Sequence, residues 1–564
     1  MLKTNPDAAT TGGLFTPKLV TVLREGYTAD WLRADALAGL TVAIVALPLS
    51  MAIAIASGVG PERGLYTAIA GGFLVSLLGG SRYQIGGPAG AFIVLVAATV
   101  AVHGVDGLIL ATFLSGMMLA GAGWLRLGSY IKFIPYPVTV GFTAGIGVII
   151  LASQLRDLFG LQLPGGEPGP LPEKLQALAA AAGTASPAAI ALSVGTIALI
   201  LGLKRFRPGW PGMILAIAVA SLGAWALALP VETIGTKFGG IPRTLPAPAL
   251  PDLSLSRVVD ILPAAISFTL LGAIESLLSA VVADGMTGRR HRSNCELVGQ
   301  GFANMGSALF GGFCVTGTIA RTATNVRSGA RSPVSGMLHA VFLLVFMAVA
   351  APLAAYIPLA ALAGVLAIVA WNMVEKHAIA ALVRASRGDT LVLAVTFLLV
   401  VFRDLTEGIV VGFALGAILF IDRMGKIIAV EPDKPFAVTD RADRIGEPEQ
   451  DEAGDDPGIV VYRISGAFFF GAASTVGSVL DRIADKHRVF ILDCSAVPFL
   501  DSTAANVIEG SLRKAERAQV SMIISGASGP VRHMLESQGV AAPRVRYAPD
   551  IATARAMAGE AASA

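Results

Sequence analysis

Two apolar runs in this chain stop at glycine pairs and resume a few residues later. The first reads Ser76-Leu77-Leu78-Gly79-Gly80 and, after Ser81-Arg82-Tyr83, continues as QIGGPAGAF over 84–92. The second reads Ser307-Ala308-Leu309-Phe310-Gly311-Gly312 and continues as FCVTGTIAR over 313–321. In a bilayer, non-helical backbone survives only where it is buried in protein or lines a cavity. A helix that begins there turns unpaired N–H groups and the positive end of its dipole into that cavity. The natural guest is an anion. In the second segment Gly317, Thr318 and Ile319 read as the start of a short helix, with Ala320 and Arg321 in its first turn. In the first segment Pro88, Ala89 and Gly90 open a helix on the opposite side. Proline suits a first turn because its missing N–H had no partner there. Two facing helix starts cradle an oxyanion with backbone N–H groups, so few charged side chains are needed. The pair Gly71-Gly72 reads instead as close helix packing.

Composition sets the class. Of 564 residues 54% are hydrophobic and 14% charged, against about 25% charged in soluble domains. The chain is an α-helical polytopic membrane protein. Its net charge of +3 carries no nucleic-acid signal. Apolar segments fall at 36–57, 64–80, 84–102, 105–124, 131–155, 187–203 and 210–229. They recur at 259–283, 297–310, the short helix after Gly317, 335–352, 356–373, 390–402 and 408–425. That makes about fourteen spans, several of them short. Seven spans per half is an odd number, so the halves are expected as inverted repeats, about 34–230 and about 258–427. The broken segments are third in each half, and paired breaks at corresponding places point to a transporter's site. Pro48 in the first span frees a carbonyl, a kink beside such a site.

Basic residues give the orientation. Lys18, Arg24 and Arg33 precede the first span. Arg126 with Lys132, Lys204 with Arg205 and Arg207, and Arg289 with Arg290 and Arg292 fall on the same side. Both termini are therefore expected in the cytoplasm, the chain lying in the inner (plasma) membrane, with the Pro-rich stretches 163–172 and 241–251 facing outward. Residues 1–33 form a cytoplasmic segment without the apolar region of a signal peptide.

Glu275 lies in an otherwise uncharged run, 261–283. A carboxylate near the bilayer centre is costly and faces a cavity or a partner. It reads as a proton carrier or a cation ligand, or else as half of a structural ion pair with Arg321. Ser279, one turn on, either adds an oxygen to a cation site or bonds back to its own helix. Arg321 either presents its charge to the anion or neutralises Glu275. Both readings make the cavity electropositive.

Past 428 the chain turns charged, and 428–457 reads as a linker. From 458 to 560 strands and helices alternate: strands at 459–464, 489–494 and 520–525, helices at 472–486, 502–517 and 529–538. That is a small α/β domain with a largely parallel sheet. Asp501 or Ser502 reads as a helix N-cap, or Ser502 as a phosphorylatable hydroxyl. The three cysteines show no metal spacing. We expect no metal, no cofactor and no enzymatic activity. The chain has no GxxxxGK[ST] loop, which argues against an ATP-driven pump.

These residues resemble the SulP family of anion transporters. The resemblance covers nearly the whole chain. It is carried by AGLTVAIVALPLSMAIAIASGVGPERGLYTA, GGPAGAF, ADGMTGRRHRSNCELVGQG and FGGFCVTGTIARTATNVRSGARSP, in that order. The tail, with LDCSAVPFLDSTAANVI, is similar to a STAS domain. The resemblance implies core and gate domains within 34–427, elevator-like motion and a homodimer with cytoplasmic STAS domains. It implies an anion site at Ala89, Gly90, Gly317, Thr318, Ile319 and Ala320, with Arg321 behind it and Glu275 as the acidic position of the eighth span. In sodium-coupled bicarbonate members that position is Asp; the longer Glu here favours a coupling proton over sodium. Asp501-Ser502 keeps the phospho-acceptor position. The function expected is secondary active transport of an inorganic anion, sulfate ahead of bicarbonate or a dicarboxylate. The rivals are a channel and a membrane sensor whose STAS domain contacts a cytoplasmic partner protein.

Overall fold

The computed structural model describes Gly13, Pro168 and residues 15–131, 135–163, 170–207, 210–403, 405–427, 429–432, 459–469 and 488–563. The chain divides into two compact units, up to Ala414 and from Leu415 onward.

The first unit opens on helix α1 (Ala29–Ala56), capped by Thr28, whose hydroxyl accepts from Trp31 N at 3.3 Å. Pro48 sits inside it, buried. The next span runs through α2 (Pro61–Tyr66), a π-turn (Thr67–Gly71) and α3 (Gly72–Leu78). The chain then goes extended into β1 (Gly86–Gly87), makes a 3-10 turn over Gly90–Phe92 and continues as α4 (Ile93–Trp124). Helix α4 breaks at Gly104 (φ 68°, ψ −172°), a conformation open to glycine. That break divides the expected spans 84–102 and 105–124.

Helices α5 (Tyr136–Phe159), α6 (Pro187–Phe206) and α7 (Gly212–Ala226) follow. The second half begins with α8 (Leu255–Thr287) and α9 (Ser293–Leu309), then β2 (Thr316–Gly317) and α10 (Ile319–Arg327). It closes with α11 (Val334–Ala354), α12 (Leu359–Met373), α13 (Arg387–Phe402) and α14 (Leu405–Ile427). Among the described residues eight helices are long and apolar enough to cross a membrane. Others, such as α7 and α9, are apolar or buried but shorter. Two short helices, Leu171–Ala180 and Lys376–Ala385, occupy stretches from which no helix was expected.

Small residues let the helices approach closely. A Cβ on Gly116 of α4 would come 2.7 Å from Gly301 O of α9. One on Gly72 would come 2.7 Å from Gly86 O, in keeping with a packing role for Gly71-Gly72. The rings of Phe92 and Phe268 meet edge to face at 5.9 Å, fastening the 3-10 turn to α8.

The second unit is a five-stranded sheet in the order β3 (Ala429–Pro432), β4 (Ile459–Ser465), β5 (Val489–Ala496), β6 (Ser521–Ser525) and β7 (Arg546–Ala548). Strand β3 is antiparallel to β4; the other pairs are parallel. Helices α15 (Ser502–Arg517) and α16 (Gly529–Ser537) cover one face, and α17 (Ile551–Ser563) the other. Alternate residues of β5 therefore enter two cores: Phe490, Leu492 and Cys494 on one side, Val489 and Ile491 on the other. The segment read as a linker begins with edge strand β3, which its charged sequence did not announce. The helix expected at 472–486 lies outside the described residues. All three cysteines are buried and free.

Candidate anion site

Extended backbone inside a membrane needs partners for every N–H and C=O. Here side chains supply many of them. Ser307 Oγ donates to Phe313 O at 2.7 Å, and Phe313 N donates to Thr67 Oγ1 at 2.8 Å. Asn304 holds Val315 at both ends, with Nδ2 to O at 2.9 Å and Val315 N to Oδ1 at 3.1 Å; Gln300 Nε2 adds a bond to the same carbonyl. Across the other break, Gly80 N donates to the buried Glu296 carboxylate at 2.7 Å, and Ile85 N to Thr322 Oγ1 at 3.1 Å. The two breaks then satisfy each other. Gly86 pairs with Gly317 and Gly87 with Thr316 in an antiparallel two-stranded ribbon. Thr318 N extends it, donating to Ile85 O at 3.0 Å.

Beyond the ribbon each strand enters a helix. In α10 the first intrahelical bond is Thr322 N to Thr318 O, 2.9 Å. The amides of Ile319, Ala320 and Arg321 come before it. On the other side Phe92 N bonds Ala89 O at 3.1 Å, with Gly90 and Ala91 ahead. Pro88 and Ala89 were expected to open this helix. They remain extended, and Gly90 is its first helical residue. The Pro88 carbonyl instead serves Arg321, whose Nη2 donates to it at 3.3 Å and to Ser50 Oγ at 3.2 Å.

Both helix starts face one cavity of about 340 Å³, lined by Pro88, Ala89, Gly90, Ala91, Thr318, Ile319, Ala320 and Arg321. Helix α1 supplies apolar wall at Val42, Leu49 and Ile53. The lining also includes Thr143 of α5, Met213 of α7, Asn372 and Met373 of α12, and a second carboxylate, Glu375. A larger cavity, about 580 Å³, lies between α1, α7 and α11, around Leu47, Met51, Trp225 and Phe346. No charged residue lines it, so it does not suit an anion.

Glu275 also lines the smaller cavity and is 6% exposed. Among the described residues it makes no salt bridge within 4.0 Å, so the ion pair with Arg321 that the sequence left open does not form. Ser279 does not bond back to its own helix. Its hydroxyl donates to Thr322 Oγ1 at 3.1 Å, away from the cavity lining. Sequence reasoning missed the supports: Glu296, Gln300, Asn304 and Ser307. Their four-, four- and three-residue spacing is a polar stripe on one face of α9, and that signal was available. Nothing local marked Ser50, or Thr143 and Asn372 in the lining.

Residues 32–396 match the sulfate permease family profile. This chain belongs to that family. As a multi-pass membrane transporter of the sulfate permease family, it is 38% identical over 519 residues to the putative sulfate transporter YvdB of Bacillus subtilis, covering 92% of this chain and 95% of that protein. It is 32% identical over 522 residues to the bicarbonate transporter BicA of Picosynechococcus, covering 90% of each. The murine Slc26a9 anion transporter in its inward-facing state shares the fold, with a TM-score of 0.83 at 17% identity, over 99% of this chain and 96% of that one.

Residues 452–553 match the STAS domain. In it Asp501 is the N-cap of α15, accepting from Ala504 N at 2.8 Å. Ser502 is the first residue of that helix and is exposed. Asp493, in the second half of β5, is 2% exposed. It accepts from Arg463 Nε at 2.7 Å, from Ser495 N and Oγ at 3.0 Å each and from Ser525 Oγ at 3.1 Å. Burial opposes its ionisation, but these bonds outweigh burial and hold its pKa below the usual value.

Proposed function

We propose that this permease carries an inorganic oxyanion, sulfate by preference, by secondary active transport coupled to protons. The observation that carries the reading is the convergence of two helix starts and Arg321 on one cavity. Pro88, Ala89, Gly90, Thr318, Ile319, Ala320 and Arg321 form the anion site; Gly317, expected there, lies in the ribbon, its N–H donating to Ser276 Oγ at 3.4 Å. Glu275 carries the coupling proton. A carboxylate that faces the cavity and, among the described residues, has no cationic partner supports a proton carrier. Segment 34–427 is the transport domain, built from two inverted seven-span repeats and working as a homodimer by an elevator-like motion. It lies in the inner membrane with both termini cytoplasmic. The STAS domain regulates it, Asp501 as a helix cap and Ser502 as the accessible hydroxyl.

The test is uptake of labelled sulfate by the purified protein in liposomes. An inward proton gradient should accelerate it, and if neither sulfate nor any competing anion moves, the reading fails. Likeness to the protein named bicarbonate transporter BicA favours bicarbonate as the second substrate to try. Deleting residues 430–564 separates a carrier with a regulatory tail, which keeps transport, from a sensor, which does not transport.

A further inference from the structure

The anion cavity is lined by one fixed positive charge and two carboxylates: Arg321, Glu275 and Glu375. A guanidinium stays protonated in proteins. Each helix start counts for about half a positive charge, so with Arg321 the cradle presents about two in all. In the carrier reading Glu275 is protonated while the anion is bound. That leaves Glu375, an acidic group beside a site for anions, with no part in capture or coupling.

Glu375 is placed to act on the ion rather than on the protein. It stands just past α12 as the N-cap residue of the short helix Lys376–Ala385, but its side chain makes no capping hydrogen bond. It is exposed, and among the described residues it forms no salt bridge. The nearest cation along the chain, Lys376, is engaged elsewhere: its Nζ lies 3.3 Å from the centroid of the Trp371 ring. An exposed carboxylate usually faces bulk water and needs no explanation. This one lines the same cavity as Thr318, Ile319, Ala320 and Arg321, so its field reaches an ion held there.

Coulomb energy is proportional to the charge on the ion. In free energy, Glu375 therefore weighs on a dianion twice as heavily as on a monoanion. The positive cradle works the other way and favours the dianion. For a unit charge about 10 Å from the ion across water, the effect is about twofold on a monoanion and about fourfold on a dianion. Dissolved salt at about 0.1 M screens it over a similar distance.

We propose that Glu375 is a charge filter at the rim of the anion cavity, narrowing the site's preference for divalent over monovalent oxyanions. This deepens the carrier reading and rests on it. Glu375 is a specificity-determining residue that acts through space, without a bond to Arg321. Its consequence is a site where a monovalent oxyanion competes with sulfate instead of being shut out by it.

The test is equilibrium binding of labelled sulfate to the purified full-length protein, with nitrate as the competing monoanion. It is run at one pH and about 10 mM ionic strength, where screening is weak. Glu375→Gln should tighten sulfate about fourfold and nitrate about twofold, and Glu375→Lys should double each free-energy change, to about sixteenfold and about fourfold. Glu375→Asp keeps the charge and should keep the wild-type ratio of the two affinities. Moving the carboxylate to a neighbouring lining residue, Asn372→Asp in the Glu375→Gln background, should restore that ratio. The differences should shrink at about 0.5 M ionic strength. Equal changes for both anions, or a ratio that does not follow the charge of residue 375, overturns the proposal. If Glu375→Lys does not fold, Glu375→Gln and its Asn372→Asp rescue decide alone. If the wild type binds neither sulfate nor nitrate, the carrier reading falls and the filter with it. If it binds both and the ratio stays fixed across the variants, only the filter falls.

Discussion

Replacing Gly87 with alanine tests whether Arg321 must stand where it does. A Cβ on Gly87 would overlap Arg321 Nη1, so the guanidinium must swing aside. It is held by two long hydrogen bonds, 3.2 Å to Ser50 Oγ and 3.3 Å to Pro88 O. Both are long for a charged donor, so each is set at about 0.5–1 kcal/mol, the lower half of the range for neutral bonds, and losing both costs about 1–2 kcal/mol. Expressed as anion affinity, that is about 5- to 30-fold. Titration calorimetry with sulfate, alongside thermal melting, should show Kd rising by this factor with little change in Tm. Gly90→Ala is the control. It puts the same methyl at the helix start itself, where the Cβ would meet Ile150 Cδ1 at 3.4 Å and Met373 Sδ at 3.7 Å. It should fold and leave the Arg321 anchor in place. A Gly87→Ala protein that folds and binds sulfate within about twofold of wild type would mean that the anchored guanidinium contributes nothing to capture.

Glu275→Gln should remove the acceleration of sulfate uptake by a proton gradient while sulfate exchange persists; an unchanged gradient response rules Glu275 out as the carrier of the proton. In the STAS domain, Asp493 has a folded-state pKa below its unfolded value. Its contribution to stability is therefore fully present above about pH 4 and is lost as pH falls through the folded value. Hydrogen exchange of residues 489–496 in the full-length protein should accelerate in that acid window, and Asp493→Asn should blunt the pH dependence. Asp501→Ala removes the bond to Ala504 N and should cost helix α15 about 1 kcal/mol, visible as faster exchange in its first turn, with Asp501→Ser largely restoring protection.

Much of the site could be read before the fold was known, because glycine pairs inside apolar runs have few physical explanations in lipid. The break near Gly104 and the cap at Asp501 follow from local chemistry, whereas the helix read as starting at Gly317 begins at Ile319, because Gly317 is held in the ribbon by Gly86. What could not be read were long-range partnerships. Nothing near Glu296 says that its carboxylate closes on Gly80, over two hundred residues away. Nothing near Ser279 says that Thr322 takes its hydroxyl. Pro88 illustrates a local rule losing to tertiary structure: a residue suited to a helix's first turn is kept extended where its carbonyl meets Arg321. Strand β3 was hidden for a related reason, since an edge strand takes its shape from the neighbour it pairs with rather than from its own polar sequence.

The ribbon between Gly86–Gly87 and Thr316–Gly317 has a mechanical consequence. The backbone bonds that complete the two interrupted segments are the same bonds that lock them to each other. To shift one half of the cradle alone would strip both of hydrogen bonds in a medium that offers no replacement. A displacement of the two helix starts would therefore take both halves as a single block, with no seam opening between them.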